Sequence, residues 1–526
     1  MKHLLFFLSI IVPLLLSAQT FNISNQVTFG GDDMDYVNSI IHTKDNSILV
    51  CGNSISGATG DKTGVNRGSF DYLVVKYDLN YNEIWQKTIG GDDYDNLFDA
   101  IELSDGAYLL GGLSYSGISG DKTNERIGNY DYWVIKLSQT GDILWQNVYG
   151  GNGSSGMNSM IELNDGSIVL CGTSNADASG TKTEDSKGGK DYWIIKIDAN
   201  GNQIWDKTIG SSAYDYYPDI IIDNQDNLYI VGYTTGNVSG DKTENNYDNS
   251  QDVWIVKINI DGNIIWDKTI GSNEIEYSVK ALYLHNNIYL AIASDGDVGG
   301  LKTEPNYNST NGYTDTWLVK LDLDGNIIWD KTIGGTASDG PSDISPLDDT
   351  HILIANGSSS NMSGDKTEGN MGLSDNWLVK IDTSGNVIWD KTIGGFQDDN
   401  SPKIAIVDNT TLVIGGYSKS GIGGDKTNYC RGEEDLWIYT LDISEDISEY
   451  IINTDGFSIF PNPAGDFIQI ESKSLIGEEI NIYNMTGQEV FSNSKLTFNM
   501  RINISNFNKG IYLVKIGEQS KKIVKE

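Results

Sequence analysis

Residues 252–271 read DVWIVKINIDGNIIWDKTIG, and this stretch decides the fold because it recurs along the chain. Two runs of β-branched and aromatic residues flank a turn with Gly262 at its tip, which is the pattern of a β-hairpin. All 12 tryptophans of the chain occupy the two positions marked here by Trp254 and Trp266. The first column contains Trp133, Trp193, Trp254, Trp317, Trp377 and Trp437, and the second contains Trp85, Trp145, Trp205, Trp266, Trp329 and Trp389. A period of about 60 residues predicts a ring or stack of equivalent units.

Each unit contains four short apolar segments joined by turns, with a long loop carrying GDKT or a variant between the second and third. No long stretch has helical periodicity, so the sequence predicts an all-β fold of four-stranded units. The seventh unit lacks its last strand, while residues 25–31 (NQVTFGG) match the missing WDKTIGG. We therefore predict a seven-bladed β-propeller over residues 25–441, closed by pairing of residues 25–29 with the Trp437 strand. A solenoid is the alternative, but it requires capping units at both ends.

The start of the chain has the pattern of a secretory signal. Lys2 and His3 precede an apolar run over residues 4–16, and Ala18 offers a small residue for cleavage. This run is too short to span a bilayer, so residues 1–18 are predicted to be a signal peptide. No later segment has the length and apolar character of a transmembrane helix.

Charge and cysteine content exclude several classes of protein. The formal net charge of the 526 residues is −37, which argues against a nucleic-acid partner because phosphate binding needs basic surfaces. Three cysteines are too few for a disulfide scaffold. Four scattered histidines form no zinc pattern, and the GNSISG-type segments do not fit a serine-hydrolase elbow. No catalytic residue is predicted, although the question of enzymatic activity stays open.

An acidic side chain recurs at the start of the first strand in six units. These candidate binding residues are Asp35, Asp95, Asp215, Glu276, Asp339 and Asp399, with Ser155 in the third unit. In a propeller they could form an acidic ring at the mouth of the channel, and Ca²⁺ is the candidate cofactor because it prefers oxygen ligands. The alternative is that each carboxylate caps its own turn by accepting backbone N–H bonds.

Two further columns are interpreted as structural. The tryptophans are expected to pack sheet against sheet, although sugar stacking is the alternative. A lysine recurs in all seven long loops, at Lys62, Lys122, Lys182, Lys242, Lys302, Lys366 and Lys426. We predict that Lys62 pairs with Asp71, which opens the next strand, and that the equivalent pairs recur in the other units.

The unit, with its GG turns and DG-x-hydrophobic-x-GG segments, resembles the β-propeller repeats called SBBP repeats over about residues 25–441. That resemblance implies a fold and no chemistry.

Residues 442–456 are acidic and are interpreted as a linker. The tail from residue 457 closely resembles the type A C-terminal sorting domain of the type IX secretion system. The matching residues are Pro461, Asn462, Pro463, Gly487, Gly510, Tyr512 and Lys515, with KIVK near the end. The resemblance implies a small β-sandwich over residues 457–526 that engages the secretion machinery and directs cargo across the outer membrane.

These patterns together predict a secreted or cell-surface protein. The leading hypothesis is a non-enzymatic binding or adhesion scaffold for an unidentified glycan or protein ligand. A structural surface or matrix component is one alternative, and a secreted enzyme that degrades polysaccharide or peptide is another. Long loops on a rigid scaffold commonly carry recognition, so we expect the ligand on the face that bears the long loops.

Overall fold

In a computed structural model, the described residues are 19–308, 312–445, 457–471, 475, 477–493, 495–497, 499–517 and 519–525. The predicted signal peptide and most of the predicted linker lie outside them. Contacts divide the chain into two compact units, with residues 19–444 forming the larger unit and the sequence from residue 445 belonging to the smaller one. Among the described residues, no helix has the length and apolar character needed to cross a membrane.

The larger unit is built from short β-strands. In chain order they are β1 (Gln19–Phe29), β2 (Asp35–His42), β3 (Ser47–Ser54), β4 (Asp71–Asp78), β5 (Glu83–Ile89), β6 (Asp95–Glu102), β7 (Tyr108–Ser114), β8 (Asp131–Leu137), β9 (Ile143–Tyr149), β10 (Ser155–Glu162), β11 (Ile168–Ser174), β12 (Asp191–Ile197), β13 (Gln203–Ile209), β14 (Asp215–Ile222), β15 (Leu228–Thr234), β16 (Asp252–Ile258), β17 (Ile264–Ile270), β18 (Glu276–Leu284), β19 (Asn287–Ser294), β20 (Asp315–Leu321), β21 (Ile327–Ile333), β22 (Asp339–Pro346), β23 (His351–Ser358), β24 (Asp375–Asp382), β25 (Val387–Ile393), β26 (Asp399–Asp408), β27 (Thr411–Ser418) and β28 (Asp435–Glu445). A short 3-10 turn spans Tyr247–Asn249 in one long loop.

These strands form seven four-stranded sheets within residues 19–445. Sheets 1 to 6 each consist of four consecutive strands, beginning with β2, β6, β10, β14, β18 and β22. Sheet 7 has the order β1-β28-β27-β26, so the N-terminal strand completes the last sheet, as the split repeat predicts. The first strands contact one another in cyclic order, from β2 through β6, β10, β14, β18 and β22 to β26 and back to β2. The sheets are therefore arranged like blades, and we call their first strands the inner strands.

Both strands of the closing pair are longer than the sequence indicates. β1 begins at Gln19 instead of residue 25, and β28 continues to Glu445, four residues into the segment interpreted as a linker. Near their ends, the Thr20 hydroxyl donates to the Ser444 carbonyl at 3.2 Å. Within the pair, Trp437 Nε1 donates to Gln26 Oε1 at 3.1 Å. Gln26 thus takes the place that a residue of the fourth strand holds in the other sheets.

The third strand of each sheet explains the first tryptophan column. In β16 every residue of DVWIVKI is buried, because the strand lies between two neighbouring sheets on both faces. Tyr72 of sheet 1 packs against Trp133 of sheet 2 with ring centroids 5.1 Å apart, and its hydroxyl donates to the Trp133 carbonyl at 3.1 Å. The same link joins Tyr132 to Trp193 in the next pair of sheets. The tryptophans therefore join neighbouring sheets, as the packing interpretation predicts.

The prediction that Lys62 pairs with Asp71 is wrong. No ion pair within 4.0 Å among the described residues joins a loop lysine to the aspartate that opens the following strand. Instead, the lysines turn inward and donate to loop oxygens: Lys122 Nζ bonds Ser114 Oγ at 2.6 Å and the Ser116 carbonyl at 2.7 Å. Spacing along the sequence could not show this, because a tight turn from Ser119 to Lys122 redirects the side chain.

Six of the seven loop lysines lie over the buried tryptophan of their own sheet. The distances from Nζ to the ring centroid are 5.6 Å for Lys122, 5.9 Å for Lys182, 5.9 Å for Lys242, 5.7 Å for Lys302, 5.6 Å for Lys366 and 5.5 Å for Lys426. This is the geometry of a cation–π interaction, and removal from water strengthens it. In sheet 1 the tryptophan is replaced by Leu73, and Lys62 bonds the Ser56 carbonyl.

The described residues of the smaller unit form two sheets. Its strands are β29 (Ser458–Phe460), β30 (Phe467–Glu471), β31 (Ile480–Asn484), β32 (Glu489–Asn493), β33 (Asn499–Asn503), β34 (Gly510–Ile516) and β35 (Gln519–Lys525). The strand orders are β29-β30-β33 and β32-β31-β34-β35. Ile468 of the first sheet and Ile482 and Val514 of the second are fully buried in one apolar cluster. The two sheets therefore share a core.

Candidate functional site

The predicted acidic residues lie at the start of the inner strands and are fully buried. Asp35 Oδ2 accepts from the Gly31 N–H at 2.8 Å and from the Ser56 hydroxyl at 2.9 Å. The other members accept the equivalent backbone N–H: Asp95 from Gly91, Asp215 from Ser211, Glu276 from Ser272, Asp339 from Gly335 and Asp399 from Gly395. Each carboxylate therefore caps its own turn, which is the alternative given above.

The structure does not bring these carboxylates together as a ligand set. Among the described residues, no group of three or more histidine, cysteine, aspartate or glutamate side chains is placed to hold a metal ion. Burial raises the pKa of Asp215 to about 6 and that of Glu276 to about 8, with Asp252 adding to the rise at Glu276. These shifts favour the protonated form, whereas a carboxyl group binds calcium in its ionised form.

A second aspartate, which opens the third strand of each sheet, explains the glycine at the start of each turn. Burial raises the pKa of Asp71 to about 6, and Asp95 of the next sheet adds to the rise. A Cβ atom on Gly90 would lie 2.0 Å from Asp71 Oδ1. A glycine is therefore required where the two sheets and their carboxylates meet.

A different polar ring lines the central cavity, and the sequence analysis missed it. It lies four residues after the acidic position in each sheet and consists of Ser39, Asp99, Ser159, Asp219, Lys280, Asp343 and Lys403. All seven line one cavity of about 170 Å³. We call these residues the inner ring. The signal in the sequence is a polar residue that recurs at the same position of every inner strand.

The inner-ring aspartates connect neighbouring sheets. Asp99 Oδ2 accepts from the Met160 N–H at 2.9 Å, Asp219 Oδ2 from the Ala281 N–H at 3.1 Å and Asp343 Oδ2 from the Ile404 N–H at 2.9 Å. Each bond crosses from one inner strand to the next. Lys403 Nζ crosses in the other direction and donates to the Ser342 carbonyl at 2.8 Å.

Several inner-ring groups titrate near neutral pH. Burial raises the pKa of Asp99 to about 7. Burial, with Lys280 adding to the effect, lowers the pKa of Lys403 to about 8. Burial also opposes the charge on Lys280, but Asp219, Asp343 and Asp99 outweigh it and raise that pKa. Lys280 Nζ has no hydrogen-bond acceptor within the described part of the chain, so its proton donors remain available inside the cavity.

A series of aromatic rings lies beside this cavity, on the face of the long loops. A continuous series of ring contacts runs through Tyr417, Tyr36, Phe70, Tyr94, Tyr115 and Tyr130, with centroid distances from 4.7 to 5.9 Å. We call this series the aromatic belt. Phe70 and Tyr130 precede the third strands and Tyr115 follows a second strand, so the ends of the long loops position them.

A second group of rings lies in sheet 4. Tyr214, Tyr216, Tyr217 and Tyr233 contact one another at centroid distances from 5.4 to 6.0 Å, and we call them the tyrosine cluster. Burial raises the pKa of Tyr94, and the Tyr217 hydroxyl adds to that rise. This coupling places the cluster close to the belt.

Two larger cavities open between these rings. The first, of about 420 Å³, is lined by Met34, Tyr36, Val37, Asn38, Asn53, Phe70, Tyr94, Asn96, Ser401 and Tyr417. The second, of about 370 Å³, is lined by Tyr217, Tyr233, Tyr277, Asn158 and inner-ring residues, among others. Asn38 lines both of them and the inner-ring cavity as well. The three cavities therefore adjoin one another, and we call them together the mouth site.

Tyr217 and Ser401 have an unusual backbone conformation at this site. Their φ values are 46° and 57°, in the left-handed region that non-glycine residues rarely adopt. Both lie where the pairing of the inner strand shifts, between Tyr216 and Asp219 in sheet 4 and between Asn400 and Lys403 in sheet 7. These bulges turn the two residues toward the cavities, and backbone strain of this kind clusters at functional sites.

The sorting-motif residues of the tail stabilise the smaller unit. Asn462 accepts from the Val524 N–H at 2.9 Å through Oδ1 and donates to the Lys522 carbonyl at 3.0 Å through Nδ2, so the segment from Pro461 to Pro463 is held against β35. Gly487 has a φ of 81° in the turn after β31. Tyr512 donates to the Asn508 carbonyl at 2.8 Å, and Gly510 and Lys515 lie in the same strand, β34.

Comparison with known proteins identifies this tail. The model of the family described as the secretion system C-terminal sorting domain matches residues 458–526. A segment of 68 residues is 38% identical to beta-agarase A of Zobellia galactanivorans and covers 12% of this chain and 12% of that protein. Another segment, of 186 residues, is 21% identical to the regulatory protein FlaEY of Caulobacter vibrioides and covers 34% of this chain and 20% of that protein. The chain thus spans a small part of the length of these curated relatives.

Among solved structures, a polysaccharide lyase of family PL25, an ulvan lyase bound to a sugar ligand, is similar with a TM-score of 0.44 and 12% sequence identity. The match covers 80% of this chain and 96% of that one. The tail, by contrast, is matched by sequence as well as by its ordered motifs. Residues 458–526 are a type IX secretion sorting domain, which sends the protein to the cell surface or the extracellular space.

Proposed function

We propose that residues 19–444 form a closed seven-bladed propeller of the SBBP-repeat kind and that residues 457–526 form a β-sandwich. The cyclic contacts of the inner strands and the completion of sheet 7 by β1 support the ring. The shared apolar cluster of the two small sheets supports the sandwich. Residues 1–18 are proposed as the signal peptide and residues 446–456 as part of a linker.

We further propose that the protein is a surface-exported binding or adhesion scaffold. The observation that carries this proposal is the mouth site, where aromatic rings and amide side chains line adjoining cavities on the long-loop face. Ligand sites are commonly concave, mostly apolar and equipped with a few polar groups. The inner-ring aspartates accept hydrogen bonds from the neighbouring inner strand, so they help to hold the ring together.

One observation favours an enzyme as the second candidate. Asp99 and Lys403 line one cavity, with pKa values of about 7 and about 8, and side chains that titrate near neutral pH are suited to acid–base chemistry. Lys280 adds an ammonium group that has no hydrogen-bond acceptor among the described residues. A secreted enzyme that cleaves polysaccharide or peptide would use these groups.

A paired assay separates the two candidates. The purified protein is incubated with polysaccharides and peptides, and both retention on the polymer and the appearance of new chain ends are measured. Retention without new chain ends supports the scaffold. If the wild type produces new chain ends and the Lys403→Met variant does not, the protein is an enzyme and the scaffold proposal is overturned.

A further inference from the structure

The lining of the mouth site indicates the charge of its ligand. The described residues around the first cavity include three asparagines, a serine and four aromatic rings, and none of them carries a formal charge. The second cavity adds Asp219 together with Lys280 and Lys403. Asp219, Asp343 and Asp99 act together to raise the pKa of Lys280, so the inner-ring carboxylates offset the positive charge of the lysines. With a net charge of −37 on the chain, a polyanion would be repelled at long range.

The hydrogen-bonding groups of the site suit a ligand rich in hydroxyl groups. The Asn38 Nδ2 group and the whole side-chain amide of Asn158 have no partner among the described residues, and both line the cavities. Asn96 Nδ2 donates to the Tyr94 hydroxyl at 2.7 Å, which leaves its carbonyl oxygen available. Amide groups that present donors and acceptors side by side match sugar hydroxyls, which are also both donors and acceptors.

The aromatic rings supply flat surfaces of the right kind. Tyr217 is 58% exposed and Tyr277 is 44% exposed, although large aromatic rings normally bury most of their surface. Tyrosine offers a broad apolar face and a polar edge at a small cost in side-chain entropy. The C–H faces of pyranose rings stack on such surfaces, whereas an extended peptide would seek unpaired strand edges or deep side-chain pockets.

We propose that the mouth site binds an uncharged oligosaccharide, which lies across the belt and the tyrosine cluster with its hydroxyls bonded to the free asparagine amides. This inference rests on the proposed binding function and names its ligand class. Tyr217 is the central stacking residue, because its bulge holds the exposed ring at the second cavity.

The backbone of Tyr217 allows a test in which folding and binding separate. Glycine adopts a φ of 46° without strain, so Tyr217→Gly removes the ring while relieving the backbone. We expect a thermal midpoint close to that of the wild type, because the relief of the backbone offsets the lost contacts with Tyr216 and Tyr233. We also expect affinity for the sugar to fall about tenfold, the loss typical of one stacking contact.

The probes are neutral hexasaccharides of β-1,3-glucan, β-1,4-glucan, β-1,4-mannan and β-1,4-xylan. An alginate hexasaccharide is the charged comparison. Each probe is titrated into the full mature chain in a calorimeter. Asn158→Ala tests the free amide and is expected to weaken binding. Tyr429→Ala is the control, because Tyr429 is 68% exposed and lines neither cavity. The control should bind as the wild type does.

Four outcomes would overturn the inference: binding of alginate alone, no binding of any neutral hexasaccharide, unchanged binding by Tyr217→Gly, or an equal loss in Tyr429→Ala. Capture of a peptide in place of sugar would overturn it while leaving the scaffold proposal intact. Cleavage of the sugar would instead overturn the scaffold proposal, and loss of binding in Tyr217→Gly would still confirm the ligand class.

Discussion

The contact between Lys122 and Trp133 can be measured in isolation by a double-mutant cycle. Lys122 is 1% exposed, and its Nζ lies 5.6 Å from the centroid of the Trp133 ring. A cation–π interaction contributes about 0.5–1 kcal/mol at an exposed site and about 2 kcal/mol or more when desolvated. For this fully buried pair we expect a coupling energy of about 1–2 kcal/mol between Lys122→Met and Trp133→Leu.

The single change Lys122→Met should cost about 2–4 kcal/mol in the free energy of unfolding, because it also removes two bonds donated by a charged group to Ser114 and Ser116. Trp133→Leu copies sheet 1, where Leu73 occupies the equivalent position. The cycle cancels these separate costs and leaves the interaction of the pair.

Urea unfolding of the full chain, followed by tryptophan fluorescence, is the assay. All 12 tryptophans precede residue 446, so the signal reports on the larger unit alone. The matched control is the cycle of Lys62→Met with Leu73→Ala, for which we expect a coupling below about 0.5 kcal/mol because there is no ring. An equal coupling in both cycles would refute the role assigned to the tryptophan face.

Three further predictions concern pH, ring closure and export. Burial raises the pKa values of Asp71 (to about 6), Asp315 (to about 7) and Glu276 (to about 8), so the folded state holds these protons more tightly than the unfolded state does. The free energy of unfolding should therefore fall as the pH rises from about 4 to about 8. Thermal midpoints in salt-matched buffers measure this, Asp315→Asn should flatten the curve, and a midpoint that climbs over the interval would contradict the reasoning. Removal of residues 19–29 should lower the urea midpoint and promote association, since β28 then presents an unpaired edge; a monomer with unchanged stability would count against closure by β1. Deletion of residues 457–526 should leave the protein in the periplasm, and cell fractionation that still finds it at the surface would disprove the role of the tail.

The repeat made most of the larger unit predictable, because strand positions that recur with fixed turns specify the same packing in every copy. Even the closing strand could be inferred, since residues 25–31 match the segment missing from the seventh unit. The acidic position was visible too, but only burial distinguishes a turn cap such as Asp35 from a ligand exposed to solvent. The partners of the lysines depended on the inward turn of the loop, which spacing does not encode.

The aromatic rings of the mouth site could not be predicted from the repeat. Phe70, Tyr115 and Tyr217 occupy different positions within their units, so no column in the sequence contains them together. Phe70 lines the first cavity, Tyr115 contacts Tyr94 in the aromatic belt, and Tyr217 lines the second cavity. The inner ring, by contrast, occupies one recurring position, at which the side chain is serine, aspartate or lysine, so only its charges vary between units.

The partnership of β1 and β28 has a consequence for how the chain acquires its structure. Gln26 and Trp437, which are joined by a hydrogen bond, are 411 residues apart in sequence. Synthesis proceeds from the N-terminus, so β1 emerges first and its partner emerges after every other strand of the larger unit. Contacts between such distant residues form slowly, because the entropy of a very long loop is lost before any bond rewards it. Sheet 7 should accordingly be the last to form, and an intermediate with β1 unpaired should be the species that chaperones and proteases encounter.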